Sequence, residues 1–490
     1  MTQLSFLIGF HYAKVTQNLL TRHHGGDNTM NTKNITDFYK EEVPSYASYD
    51  LIRKCSSYID GFKNAHRKII WTMLENFGNP NTRTKTSQMS ATVSLKSMYL
   101  HGETNLDGSL CTLAQSFVGA NNYPLITGHG NFGTRFSPDP AASRYTFVSI
   151  SPLVSKLYDK DRPLCKGQMF EGNEIEPAYY VPVFPTLFLN GSDGISTGYS
   201  QKIYPRNPKE ILKYIRAILN KADKVPHIEN ALPWFKGFLG ETKLVKEKDA
   251  DGKTTTKILN YGVIEKVNSN TLHITEIPIT TTYASYVKFL DGLVEKGNIE
   301  DYDDLSDPKA DKFEFTIKVK RVFFDSHEDM DSWVKTFNLA KPLNEQLNCI
   351  DENNRIREFK DIKEILDAFI KIRLDFYKKR KNYLLQKYME EIQLDVSKYV
   401  WCKGVIDETI HIKNKKKDDI VKQLEKTPKV VQNYGSYNYL LNMPMSSITK
   451  EKMAELTEKI KNLKELIKVT QKESIEQMWL ADLDEIEKEF

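Results

Sequence analysis

Cysteine is scarce in this chain of 490 residues. There are five (Cys55, Cys111, Cys165, Cys349 and Cys402), far apart and with no C-x-x-C pair. That excludes a disulfide framework and a paired-cysteine zinc site, and the thiols read as the reduced ones of a cytosolic protein. Long apolar runs are missing as well. No stretch approaches the ~18–20 residues that a membrane-spanning helix needs. Residues 4–10 are too short and lack a basic leader, so neither a signal peptide nor a membrane anchor is expected. A strong excess of one charge is absent too: Lys and Arg number 69 against 65 Asp and Glu, and a net +4 does not by itself identify a nucleic-acid partner. Nor is there a G-x-x-x-x-G-K-[ST] run, which excludes a P-loop.

What the chain does have is size and a local bias of charge. Its length suits two to four domains with a buried core, and 40% hydrophobic with 27% charged residues is a globular balance. From residue 51 to residue 135, nine Lys/Arg stand against four Asp/Glu, which suits a phosphate-binding face or an ordinary solvated surface. Residues 1–33 carry no strong pattern; His23 and His24 lack a second ligand pair for a metal, and Met30 is an alternative start. Helical periodicity runs from about residue 35 to residue 73, interrupted at Asp60-Gly61-Phe62, with Ile69, Ile70, Met73 and Leu74 as an apolar stripe. A turn at Gly78-Asn79-Pro80, a loop with Arg83 and Lys85, and a short helix over 90–98 carrying Lys96 follow. This is a helix-turn-helix pattern, or that of any small helical domain.

Residues 128–133 spell G-H-G-N-F-G, a letter-for-letter G-x-G-x-x-G. Pro138 and Pro140 stand where the helix of a dinucleotide site would run, so the segment reads as a tight loop needing positive φ. It leads to Ala141-Ala142-Ser143-Arg144-Tyr145, an odd place for a core aromatic. Residues 181–189 form an apolar run predicted to be extended. In 194–199, Ile195 follows a glycine on what should be an exposed loop, as a packing plug or as a wedge for something outside. Strand and helix signals alternate from 200 to 340. Segments 242–248 and 253–259 flank Asp249-Ala250-Asp251-Gly252, a hairpin turn rather than a calcium loop, since Lys253 and Asn260 occupy ligand positions. Residues 271–276, 283–296 and 312–321 complete an α+β domain. Beyond about 341, Ile365, Phe369, Ile372 and Phe376 are spaced 4-3-4, and Met453, Leu456, Ile460, Leu463 and Ile467 are spaced 3-4-3-4. Both are coiled-coil seams. Between them Tyr439, Leu440, Leu441, Met443 and Met445 bunch as an apolar patch: a dimer contact at the tip of two helices, or part of a bundle folded on itself.

Five motifs stand in one order: Asp60-Gly61-Phe62-Lys63-x-x-His66-Arg67, Tyr99-x-His101-Gly102-Glu103, Gly130-Asn131-Phe132-Gly133-x-Arg135, Ala141-Ala142-Ser143-Arg144-Tyr145, and Asn190-Gly191-Ser192-x-Gly194-Ile195-x-Thr197-Gly198. Together they resemble the breakage-and-reunion part of type IIA DNA topoisomerases (gyrase A-like), from about residue 34 to the end. The short length is most similar to medium subunits of T-even phage members. The resemblance implies an α+β multidomain fold. Its parts would be an N-terminal extension (1–33), a winged-helix domain with the catalytic tyrosine (34–158), a tower domain (159–345), and a long antiparallel coiled coil with a dimerisation gate (346–490).

By the same resemblance, Tyr145 attacks a DNA phosphodiester, forms a 5′-phosphotyrosine and frees a 3′-hydroxyl. A second duplex then passes and the strands are religated. A phenol of pKa ~10 is about one part in a thousand ionised at pH 7, and the phosphorane carries extra negative charge, so cations must assist. Arg144, Arg67 and His101 are the implied catalytic donors; Lys63, Lys85, Lys96 and Arg135 the backbone contacts; Ile195 the wedge that bends the duplex. Leu100 stands where many relatives carry a second histidine. Asp159-Lys160-Asp161 and Asp249-Ala250-Asp251 have the letters of a Toprim metal pair without its strand–helix setting. No metal site is therefore expected in this chain, and Mg²⁺ and ATP are expected on a partner subunit carrying the ATPase and Toprim domains. No DNA-wrapping domain is seen, so relaxation and decatenation are expected, in the cytoplasm. The alternative is a non-enzymatic coiled-coil architectural protein that binds DNA and uses Tyr145 structurally.

Overall fold

The computed structural model describes residues 34–248, 254–325 and 329–490. The extension 1–33 and the turn at 249–252 lie outside the described residues. The chain divides into two compact units, residues 1–49 and 50–490. In the first, Asn34 caps a helical stretch by accepting from the Thr36 amide at 3.0 Å, and a π-helical turn Phe38–Glu42 runs into the helix Val43–Lys54, whose residues from Asp50 on belong to the second.

The second unit begins with three helices, Asn64–Asn76, Thr86–Lys96 and Glu103–Ala114. They lie against a three-stranded antiparallel sheet in which Phe147–Ile150 runs between Thr84–Lys85 and Ile126–His129. The predicted stripe of Ile69, Ile70, Met73 and Leu74 is buried there with Leu106, Leu110 and Val148. The strand Ile126–His129 does lead into the glycine loop, but no helix follows before Pro152. Gly133 takes φ +91°, and a Cβ on it would come within 2.4 Å of the Pro138 carbonyl oxygen, so the loop turns where a nucleotide site would need a helix to open. The run 181–189 is buried throughout yet is not a strand. Pro182 and Pro185 lack ladder donors, and the run ends in a short helix, Leu187–Asn190.

A second core lies under a four-stranded antiparallel sheet ordered Val263–Asn268, Thr271–Glu276, Phe315–Lys318, Asp301–Asp304. The helices Tyr283–Glu295 and Met330–Thr336 bury Tyr286, Leu290 and Trp333 in that core. The strand predicted over 312–321 is shorter, because the Lys312 amide turns back to the Asp307 carbonyl at 3.1 Å. Strands Glu241–Lys248 and Thr254–Tyr261 pair antiparallel.

The helix Ile362–Ile406 is 45 residues long. Lys381 donates to the carbonyls of Gln471 and Glu473, Lys459 pairs with Asp395, and Met453 reaches the cluster around Trp401. Partners descend as the first helix ascends, so Lys450–Lys472 runs antiparallel to it. Leu456 and Leu463 are buried in this pairing. The other predicted seam divides differently: Ile365, Phe369 and Phe376 belong to the main core, where Phe369 and Tyr377 meet Trp479 of the helix Ile475–Ile486. Buried ion pairs fasten this base, with Arg373 and Arg380 both on Asp161 and Arg380 also on Asp482. At the far end Trp401, Ile410, Leu424, Tyr437 and Leu440 form a separate small core. Leu440 is thus interior, while Met445 and Tyr434 remain exposed.

Candidate nucleic-acid interface

Tyr145 closes a turn in which its amide donates to the Ala142 carbonyl at 2.9 Å, and its side chain is 68% exposed. The turn is anchored from both sides by the start of the helix Thr86–Lys96. The Thr86 amide donates to the Thr146 carbonyl (3.0 Å), the Ser87 amide to the Ser143 carbonyl (3.3 Å), and the two buried hydroxyls of Thr86 and Thr146 lie 2.7 Å apart. A residue on such a turn can expose an apolar ring only because its neighbours are tied down. The Arg144 guanidinium stands 5.0 Å from the centre of the Tyr145 ring, a cation–π contact that keeps positive charge beside the phenol.

Lys85, exposed, pairs with Phe147 in the sheet, two residues beyond Tyr145. Lys96 is exposed in the last turn of its helix. His101 lies edge-on to Tyr99, ring centres 5.4 Å apart, and burial together with the Arg53 charge lowers its pKa, which favours a neutral imidazole. Burial raises the Tyr99 pKa and the nearby Arg53 charge opposes that rise. No motif singled out Arg53; its only sequence signal was membership of the basic stretch.

Three of the expected residues lie deeper and have partners within the protein. Arg67 is buried, with Nε on Asp60 Oδ2 at 2.8 Å and Nη2 on Asp60 Oδ1 at 3.1 Å. Asp60 also accepts from the amides of Phe62 and Tyr180, so the Asp60–Arg67 spacing makes a structural node. Arg135 is likewise buried: it donates to Glu276 at 2.6 Å and to the Ile277 carbonyl at 2.7 Å, and lies over the Phe313 ring. It fastens the glycine loop to the second core, where Phe136 packs between Tyr283 and Phe313. Lys63 is partly buried and donates to the Asp193 carbonyl. It lines a cavity of about 550 Å³ with His66, Gln115, Asn121 and Lys202. Burial and the charges of Lys63 and Arg67 depress the His66 pKa. Each guanidinium spends two of its three nitrogens on acceptors within the protein. Arg67 and Arg135 therefore shape this surface from below.

Ile195 ends the strand Ser192–Ile195, paired antiparallel with Ser200–Ile203, and is 76% exposed. Its neighbours Ser196 and Thr197 both donate to the Asp50 carboxylate. Among the described residues no group of three or more His, Cys, Asp or Glu is placed to hold a metal ion. Asp161, of the Asp159-Lys160-Asp161 run, is occupied by two arginines. No helix among the described residues is long and apolar enough to cross a membrane.

This fold is that of a topoisomerase II DNA-cleavage region. It is similar to the crystal structure of the Plasmodium falciparum topoisomerase II DNA-binding, cleavage and re-ligation domain, with a TM-score of 0.81 and 30% identity over 92% of this chain and 64% of that one. The chain belongs to the family of the DNA gyrase/topoisomerase IV A subunits, whose family pattern matches residues 53–484. It is 31% identical to a mitochondrial DNA topoisomerase 2 of Dictyostelium discoideum over 94% of this chain and 36% of that protein. With DNA topoisomerase 2 of Invertebrate iridescent virus 6 it shares 30% identity over 93% of this chain and 39% of the relative. The chain thus spans little more than a third of the length of these curated relatives.

Proposed function

We propose that this chain cuts and rejoins DNA as part of an ATP-dependent type IIA topoisomerase. Tyr145 Oη gives up its proton and attacks a backbone phosphorus, the P–O3′ bond breaks, the departing 3′ oxygen takes up a proton in turn, and the 5′ phosphate stays on the tyrosine. Religation reverses the step with no external energy, because a phenolate is a good leaving group. The observation that carries this reading is an exposed tyrosine on a turn tied down by buried threonines, with the Arg144 guanidinium over its ring. Arg144 meets charge developing on the phosphorane, and Arg53 and a neutral His101 form a second polar group for the same task. Lys85 and Lys96 offer phosphate contacts, and Ile195 is the wedge between base pairs.

In this reading residues 34–158 act as a winged-helix cleavage domain, 159–345 as a tower, and 346–490 as a coiled coil whose tip contacts a second copy. Among the described residues no three or more His, Cys, Asp or Glu gather to hold a metal ion. Mg²⁺ and ATP are assigned to a partner carrying the Toprim and ATPase functions, as for a phage-type medium subunit working in the host cytoplasm. The test is covalent trapping: the complex with its partner, Mg²⁺ and supercoiled DNA is denatured rapidly and protein-linked 5′ ends are counted. Wild type yields them and Tyr145→Phe does not; adducts persisting in the variant would overturn the assignment.

A further inference from the structure

Ile195 presents a problem of rigidity. A side chain that enters a base stack must resist the push of the duplex, yet it stands 76% exposed at the end of a two-stranded hairpin, a motif of marginal stability in isolation. Its outward placement must come from elsewhere in the chain.

The hairpin is fastened along its length to residues 50–56. Near its base, the Ser56 amide donates to Gln201 Oε1 at 2.8 Å, Gln201 Nε2 donates to the Ser56 carbonyl at 3.1 Å, and the hydroxyls of Ser56 and Ser192 lie 2.7 Å apart. Midway, Gly194 approaches so closely that a Cβ would stand 2.2 Å from the Lys54 carbonyl oxygen. At the tip, a single atom, Asp50 Oδ2, accepts from Ser196 Oγ at 2.7 Å, the Thr197 amide at 3.1 Å and Thr197 Oγ1 at 3.2 Å. Lys54 compensates the charge from 3.3 Å, on the other oxygen. Asp50 is buried, so it has been taken out of water for this contact. A carboxylate collecting three donors from the two residues that follow Ile195 is a clamp on that tip.

We propose that Asp50 is the positioning residue for Ile195, holding the hairpin tip so that the isoleucine is rigid before DNA arrives. It acts through Ser196 and Thr197, the residues that it holds. The functional half rests on the reading of Ile195 as a wedge, and two independent readouts keep the claims separable.

The first readout needs no DNA. Hydrogen exchange on the full chain compares wild type, Asp50→Ala, Asp50→Asn and the loop-side variant Ser196→Ala/Thr197→Val. We expect exchange at the Thr197 amide to rise at least tenfold in Asp50→Ala and less in Asp50→Asn, which keeps an acceptor. The loop-side variant, which loses both hydroxyl donors but leaves Asp50 intact, should rise between the two. The helix Asn64–Asn76 serves as the internal standard for intact folding. Unchanged protection at Thr197 in both Asp50→Ala and the loop-side variant overturns the clamp. The second readout is the end-to-end distance of a doubly labelled duplex bound by the same proteins. Asp50→Ala should bind with affinity within a few-fold of wild type but bend the duplex less, close to Ile195→Ala. An Asp50→Ala protein with loosened exchange and a normal bend overturns the positioning role. If Ile195→Ala bends DNA as wild type does, or if wild type leaves the duplex straight, the wedge reading fails while exchange still decides the clamp.

Discussion

The Tyr145 turn and the Ile195 hairpin expose their tips to similar degrees, 68% and 76%, but they are held by different chemistry. The turn is tied by backbone amides and a pair of buried neutral hydroxyls. The hairpin tip is tied by one carboxylate with a lysine beside it. Neutral hydrogen bonds are insensitive to pH and salt across the usual range; a charge-assisted clamp is stronger for its size and responds to acid. Tyr145, the proposed nucleophile, thus sits on ties that pH and salt leave alone, and Ile195, the proposed wedge, on a tie that acid can loosen.

The largest expected effect addresses the turn's chemistry. Tyr145→Phe keeps the ring and the Arg144 contact but removes the nucleophile, and covalent DNA adducts should fall on the order of 10⁴-fold or more in a trapping assay. Next comes the tie between the glycine loop and the second core. Glu276→Ala strands the buried Arg135 guanidinium and should cost about 3–5 kcal/mol in denaturant unfolding. Thr146→Val leaves the Thr86 hydroxyl unpartnered in the interior and should cost about 1–3 kcal/mol. Acid separates the two regions directly. Burial opposes the ionised form of Asp50, but its hydrogen bonds and Lys54 outweigh burial and hold its pKa below the ordinary 3.8. Its stabilising contribution is therefore complete above that value and is lost as pH falls through the lower folded pKa. Native-state exchange, corrected for intrinsic rates, should show Thr197 deprotecting at acid pH while Tyr145 does not. Smallest of all, Ile195→Ala removes an exposed side chain and should leave stability within about 0.5 kcal/mol.

Legibility from sequence followed the same division. The apolar stripe of Ile69, Ile70, Met73 and Leu74, the strand Thr271–Glu276 and the two long helices could be read because periodicity and burial agree. Tyr145 and Ile195 were legible because each is out of place, an apolar body where the flanking glycines and prolines demand exposure. The burial of Arg67 and Arg135 was not legible for a physical reason: a cation inside a basic stretch looks solvated until the carboxylate that buries it is known. Glu276 lies 141 residues from Arg135. Asp50 was invisible for the same reason, since its partners lie 146 and 147 residues away. The seam of Ile365, Phe369 and Phe376 has the right spacing, but spacing does not say whether one helix or a whole core covers it.

The long helix pair contains one buried carboxylate, Asp395, met by Lys398 and by Lys459 of the returning helix. Sliding the two helices by one turn, about 5.4 Å, would pull Lys459 away and leave the buried Asp395 with Lys398 alone. That contact therefore favours one register of the two helices, as a pawl favours one tooth of a ratchet.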